Sequence, residues 1–297
     1  MQAERSSPYL AALWMTGAVA SFSLMAVGGR EVAGDLDTFE LMLSRSVIGL
    51  ILVTGFGVLF GRMSQVRTQR FGLHCVRNLF HFTAQNLWFY AVAYISFAQL
   101  FAIEFTTPIW IALLAPLLLG EIMTRWRVIA AVLGFAGILV IAQPGVSALN
   151  QGHLTAALST FGFAGSIMIT KALSRTESTW TILFWLTAIQ TVYGIIAVGW
   201  DGDVTLPDAT NLHWVVIVGI CGLTAHICLI SALTLAPASV VAPMDFSRLP
   251  IIAVVGWLVY EEAIGAAVVL GAALILGANA LNLSAENRRA RRLEPAE

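Results

Sequence analysis

Apolar residues run along the chain in blocks of about twenty, separated by short stretches that hold the charges, glycines and prolines. About 20 apolar residues in a helix span the hydrocarbon core of a bilayer. Breaks at charged residues, Pro, Gly and Asn divide the chain into ten such segments. They cover about 8–28, 39–60, 71–93, 97–119, 126–142, 153–173, 180–200, 213–235, 239–259 and 264–283. The runs do not alternate every second residue as barrel strands do, so the pattern predicts an all-α integral membrane protein with ten transmembrane helices. Links as short as Tyr94-Ile95-Ser96 and Ala236-Pro237-Ala238 predict tight helical hairpins.

Composition agrees with this reading. Hydrophobic residues make up 58% of the chain and charged residues 11%, where a soluble domain carries about 25% charged residues. The net charge of -1 and the single basic cluster, Arg288, Arg289, Arg291 and Arg292, give no nucleic-acid surface; the cluster reads as a cytoplasmic anchor. Cys75, Cys221 and Cys228 lie in apolar surroundings without ligand spacing, so neither a disulfide framework nor a metal site is expected, and no cofactor is implied. Ala18-Val19-Ala20 resembles a signal-peptide cleavage site. The apolar run continues past it, however, and the segment is read as the first helix.

Charge placement gives the direction of threading. With the N-terminus in the cytoplasm, inside segments hold 12 of the 16 Lys and Arg residues, and outside loops hold only Arg30. Asp35, Asp37, Asp201, Asp203 and Asp208 fall outside. Both termini are therefore expected on the cytoplasmic side.

The two halves of the chain repeat. At a constant offset of 141, Glu104 meets Asp245, Phe105 meets Phe246, Ala112 meets Ala253 and Glu121 meets Glu262. Five spans per half is an odd number, so the second copy enters the membrane inverted. Inverted repeats underlie alternating access around a midplane site. The expected organisation is a first repeat over 8–145, a second over 150–283 and a basic tail over 284–297.

The stretch from Phe89-Tyr90-Ala91 through Ala102, Phe105-Thr106-Thr107-Pro108, Leu119-Gly120-Glu121, and Gly134-Phe135-Ala136-Gly137 to Pro144-Gly145 resembles the drug/metabolite transporter superfamily, EamA type. The second copy agrees through Ala236–Pro243, Asp245-Phe246, Gly256-Trp257-Leu258 and Glu262. The resemblance covers essentially the whole chain and implies two inverted five-helix repeats around a central cavity, in a bacterial cytoplasmic membrane. The chain departs from the family at Glu261, where Gly is usual before the Glu, and at Glu104, often apolar in relatives.

Ionisable groups at bilayer depth cost about 2.5–3.5 kcal/mol on insertion scales, so they face cavities or partners. Away from the span ends there are seven: Arg45, Arg77, His81, Glu104, His226, Asp245 and Arg248. Arg77, His81, Gln85 and Trp88 recur at helical spacing and share one face. Arg77 suits an anchor that snorkels to the interface, or a gate. His81, Gln85, Trp88, Glu104, His226 and Asp245 are the expected substrate-binding residues. Arg45, Arg77 and Arg248 are the expected gate or charge partners, with Arg45 a partner for Glu104 and Arg248 one for Asp245. Pro108, Pro243 and Pro250 interrupt the helices that carry the acids and are candidate hinges or static bends. Gly134, Gly137, Gly271 and Gly277 are expected at close helix contacts, and Glu121, Glu261 and Glu262 at helix ends.

These features predict a secondary carrier, not an enzyme, for a small organic metabolite. The chain has no GxxxxGK[ST] loop, no HExxH and no Gly-x-Ser-x-Gly. Riboflavin and S-adenosylmethionine are the first expected substrates, with export of amino acids or drug-like cations as the alternative. An intramembrane enzyme and a channel are the rival classes. A coupling proton or cation and a homodimer are compatible with the reading.

Overall fold

The computed structural model describes residues 8–119, 124–143, 150–200, 202, 204–235 and 244–293. Arg5, Glu121, the Pro144-Gly145 pair, Asp201, Asp203, the 236–243 motif with Pro243, and residues 294–297 lie outside the described residues. The first repeat contains α1 (Pro8–Val32), α2 (Thr38–Leu59), α3 (Phe71–Tyr94), α4 (Phe97–Glu104), α5 (Thr107–Leu119) and α6 (Arg125–Ala142). The second contains α7 (Gln151–Leu173), α8 (Thr179–Val198), α9 (Leu212–Leu235), α10 (Arg248–Tyr260) and α11 (Ala266–Leu293). No strand occurs among the described residues. Seven segments are long and apolar enough to cross a membrane, and α6 and α10 are shorter apolar helices. Adding the polar-striped α3, and counting α4–α5 as one pass, gives the ten passes in two inverted five-helix repeats.

Local sequence sets the helix starts. Asp37 Oδ1 accepts from the Glu40 amide at 2.8 Å, and Glu40 Oε2 accepts from the Asp37 amide at 3.1 Å, a reciprocal cap at the start of α2. Ser178 caps α8 by accepting from the Thr181 amide at 3.2 Å. Asp37 and Ser178 are repeat-equivalent. The helix starts Thr38 and Thr179, Phe71 and Leu212, Thr107 and Arg248, and Arg125 and Ala266 are each 141 positions apart.

Packing obeys the same exchange. α1 lies on α9 and α3 on α7, two pairs that interchange when the repeats are swapped. α2 on α8, α6 on α11 and α4 on α10 join helices to their own equivalents or nearly so. Phe89, Phe97, Phe101 and Ile252 fill the centre without solvent exposure above 2%. Ile51, Leu139, Ile196 and Val269 point outward, as a lipid-facing surface requires.

Three expectations change. The fourth span is two helices, because the chain turns at Phe105-Thr106 before Pro108 is reached. Pro108 then stands in the first turn of α5 and Pro250 in that of α10, where a missing amide hydrogen costs no helical bond. The carbonyls at the turn are satisfied by side chains. Thr106 Oγ1 donates to Ile103 O at 2.7 Å, Thr107 Oγ1 to Glu104 O at 2.7 Å, and Asn279 Nδ2 to Phe105 O at 2.6 Å. Second, Gly277 makes no close contact, since a Cβ there would meet nothing within 4 Å. Gly137 and Gly271 do pack backbone to backbone: a Cβ on either would lie under 3 Å from the other's carbonyl oxygen. Third, α11 stays helical to Leu293, so most of the basic tail continues the last helix.

Candidate functional site

Two polar clusters lie within the bundle. The first is anionic and sits where the two interrupted passes meet. Arg248, the first residue of α10, donates through Nη2 to Glu104 Oε1 at 3.0 Å and to Asp245 Oδ2 at 3.1 Å. Trp88 Nε1 donates to Glu104 Oε2 at 2.8 Å. The guanidinium also faces the rings of Phe22, Phe101 and Phe105, with its carbon 4.8, 5.1 and 5.4 Å from their centroids. One cation thus holds two carboxylates in an aromatic surround, one from each repeat. The expected Arg248–Asp245 contact forms, and Arg248 takes Glu104 as well.

The second cluster is cationic. Arg45 on α2 donates through Nη1 to Gln85 Oε1 on α3 at 2.9 Å. The Arg45–Glu104 pairing expected from sequence does not form, because Glu104 is engaged by Arg248 and Trp88. Arg77 does not snorkel. It is 5% exposed, and its Nε donates to Thr170 Oγ1 at 2.9 Å and its Nη1 to Asn78 Oδ1 at 3.0 Å. His81 and His226 face each other at 5.8 Å between ring centroids, and His226 Nδ1 lies 2.8 Å from Gly222 O. The polar stripe on α3 therefore divides: Arg77, His81 and Gln85 join the cationic cluster, and Trp88 joins the anionic one.

Gly222 makes room for the Arg45 side chain. A Cβ there would come within 2.7 Å of Arg45 Nε and 2.8 Å of Nη2. The pocket beside the guanidinium holds about 20 Å³ and is lined by Arg45, Ser46, Gly49, Thr187, Gln190 and His226, among others. That is room for about one water molecule. Ser46 and Thr187, and Gly49 and Gln190, are repeat-equivalent, so the pocket lies on the exchange axis. The polar Gln190, 1% exposed, was absent from the sequence reading. As the one amide in its apolar span, it was there to be noticed.

Ion pairing differs sharply between the clusters. Among the described residues, Arg45 and Arg77 make no ion pair with a carboxylate; their acceptors are an amide, a hydroxyl and a second amide. A buried charge left without a counter-charge is destabilising by several kcal/mol. Five buried donors or acceptors also lack a protein partner in and beside these clusters: Arg45 Nε, His81 Nε2, Gln190 Nε2, Asp245 Oδ1 and Arg248 Nε. Among the described residues no group of His, Cys, Asp and Glu is arranged to hold a metal.

At one end of the bundle Arg30 ties four elements together. It bonds Glu262 through Nη1, Val92 O through Nε at 2.7 Å and Ile95 O through Nη2 at 2.5 Å, and it covers the Phe97 ring at 3.9 Å. Glu262 in turn accepts from the Phe97 amide at 2.8 Å, capping α4. Its role at a helix end therefore extends to another helix. At the opposite end His74 Nε2 and Glu177 Oε2 lie 2.5 Å apart.

Comparison with known proteins agrees with this architecture. The EamA-like transporter family matches residues 9–143 and 150–284. A protein of Rhizobium johnstonii named riboflavin transporter is 30% identical over 299 residues, 97% of this chain and 96% of that one. A protein of Rickettsia prowazekii named S-adenosylmethionine uptake transporter is 24% identical, over 93% of this chain and 92% of that one. A crystal structure with 21% identity superposes with a TM-score of 0.63 over 98% of this chain and 100% of that chain, which shows a shared fold.

Proposed function

We propose, of a chain that belongs to the EamA-like transporter family, that it carries a small organic metabolite across the bacterial cytoplasmic membrane by alternating access. It is a multi-pass membrane transporter, and its relatives bear transporter names rather than enzyme names. The observation that carries the mechanism is the Arg248–Glu104–Asp245 cluster, which joins the two interrupted passes across the repeat seam. Rocking one repeat against the other must lengthen or exchange these bonds, so the cluster is placed to sense cargo. Exchange with an arriving proton or cation at Glu104 or Asp245 would supply coupling.

Riboflavin and S-adenosylmethionine are the proposed cargoes, after the relatives' names and the aromatic lining around Trp88, Phe22 and Phe101. Substrate contacts are assigned to His81, Gln85, Trp88, Glu104, His226 and Asp245. In this reading Pro108 and Pro250 fix the interrupted passes. The Lys and Arg bias supports both termini in the cytoplasm, which puts the Arg30 brace on the outer face and His74–Glu177 on the inner.

The test is uptake into proteoliposomes holding purified protein, with riboflavin, S-adenosylmethionine, an amino acid and a quaternary ammonium as solutes. The reading expects saturable flux of at least one, lost in Glu104→Gln and Asp245→Asn at normal expression. Flux that rises linearly with concentration would favour a channel. Saturable flux unchanged in all six contact-residue variants would remove the site assignment.

A further inference from the structure

We infer that the cluster of Arg45, Gln85, Gln190 and His81 is an oxyanion site, so that the ligand entering it bears a carboxylate or a phosphate. This deepens the carrier reading, favours S-adenosylmethionine, which bears a carboxylate, over neutral riboflavin, and depends on that reading only for calling the ligand cargo. The geometry carries it. Arg45 is 7%, His81 6% and Gln190 1% exposed, all within the membrane-spanning bundle. Arg45 Nε and Gln190 Nε2, both donors, have no acceptor, and His81 Nε2 also lacks a partner. Arg45 and Gln190 share the pocket of about 20 Å³ between α2, α8 and α9.

The charges point the same way. Arg45 spends one Nη1 hydrogen on Gln85, a neutral acceptor. Arg77, two turns below Gln85 on the same face of α3, is likewise held only by Thr170 and Asn78. Arg248 shows what this chain does with a buried guanidinium it means to neutralise itself: it supplies two carboxylates. Arg45 is left with Nε unpaired and without a carboxylate partner, and a guanidinium presents its donors in a fork that matches an oxyanion; Gly222 makes the room in which this guanidinium lies. Phosphate and carboxylate share this chemistry.

Detergent-purified full-length protein is melted with matched probes: succinate against succinamide, and riboflavin 5′-phosphate against riboflavin, at equal ionic strength in chloride. A ligand bound only by the folded state raises the melting temperature. The wild type should bind the charged member of at least one pair about tenfold more tightly than its neutral partner, the ratio expected of one charge-assisted bond. Arg45→Gln should erase the preference. Gln85→Glu, which places a carboxylate against Arg45 from within, should erase it too while keeping the fold. Equal shifts from charged and neutral members in the wild type, no shift from either anion, or a preference that survives both variants would overturn the site. An anion response without flux in proteoliposomes would keep this site and sink the carrier reading. Saturable flux of a neutral solute without an anion response would do the reverse.

Discussion

Arg248 illustrates what depth in the membrane does to a single residue. With Glu104 and Asp245 it forms a cluster of two acids and one base. Replacing Glu104 by Gln leaves one acid to one base, so Glu104→Gln should cost only about 1 kcal/mol. Arg248→Met leaves two carboxylates together without a cation and should cost at least about 3 kcal/mol. Melting of the purified variants checks the order; equal losses would mean the charges are solvated. Gly222→Ala forces a methyl group into the Arg45 guanidinium and should lower stability by about 1–3 kcal/mol. Sequence gave the depth of each of these residues but not the direction each faces around its helix. Arg45 was a candidate partner for Glu104, yet Arg45 turns to Gln85 and Glu104 to Arg248 and Trp88. The equivalence of Glu104 and Asp245 was legible because an offset survives without azimuth.

At the scale of elements, the length of the apolar blocks and the breaks at charges, Pro, Gly and Asn located most passes to within a few residues, since apolar length is dictated by bilayer thickness. The turn inside the fourth pass was less legible. Proline marked the place, but the chain bends two residues earlier, where Thr106, Thr107 and Asn279 take up the loose carbonyls. Two of those side chains are local; Asn279 comes from α11 and is invisible to local sequence. Asn279→Ala should leave Phe105 O unpaired, cost about 1–3 kcal/mol, and raise amide exchange around residues 103–107. Unchanged exchange there would remove Asn279 from this role. The sequence oddity at Glu261 also resolves at this scale. It ends α10 at φ 54°, in the left-handed region, and the amide of Glu262 donates to Gly256 O at 3.1 Å. Glycine fits that conformation without the Cβ penalty, so Glu261→Gly should stabilise the protein by about 1 kcal/mol, read as a higher melting temperature.

For the whole molecule, the brace at Arg30 ties α1, α3, α4 and the end of α10 together at one end of the bundle. Glu262 holds both the guanidinium and the first amide of α4. Glu262→Gln should loosen that end, and a cysteine at Val92 should then react faster with a membrane-impermeant maleimide added outside. No change in rate would show that the brace does not hold this end closed. The claim beneath all of this is that equivalent positions in the two repeats face opposite sides of the membrane. Gly34 and Arg175 are such a pair, 141 apart, exposed at the ends of equivalent helices. With Cys75, Cys221 and Cys228 replaced, Gly34→Cys should be labelled only by reagent added outside intact cells, and Arg175→Cys only after the membrane is opened. Labelling of both from the same side would contradict the inverted carrier.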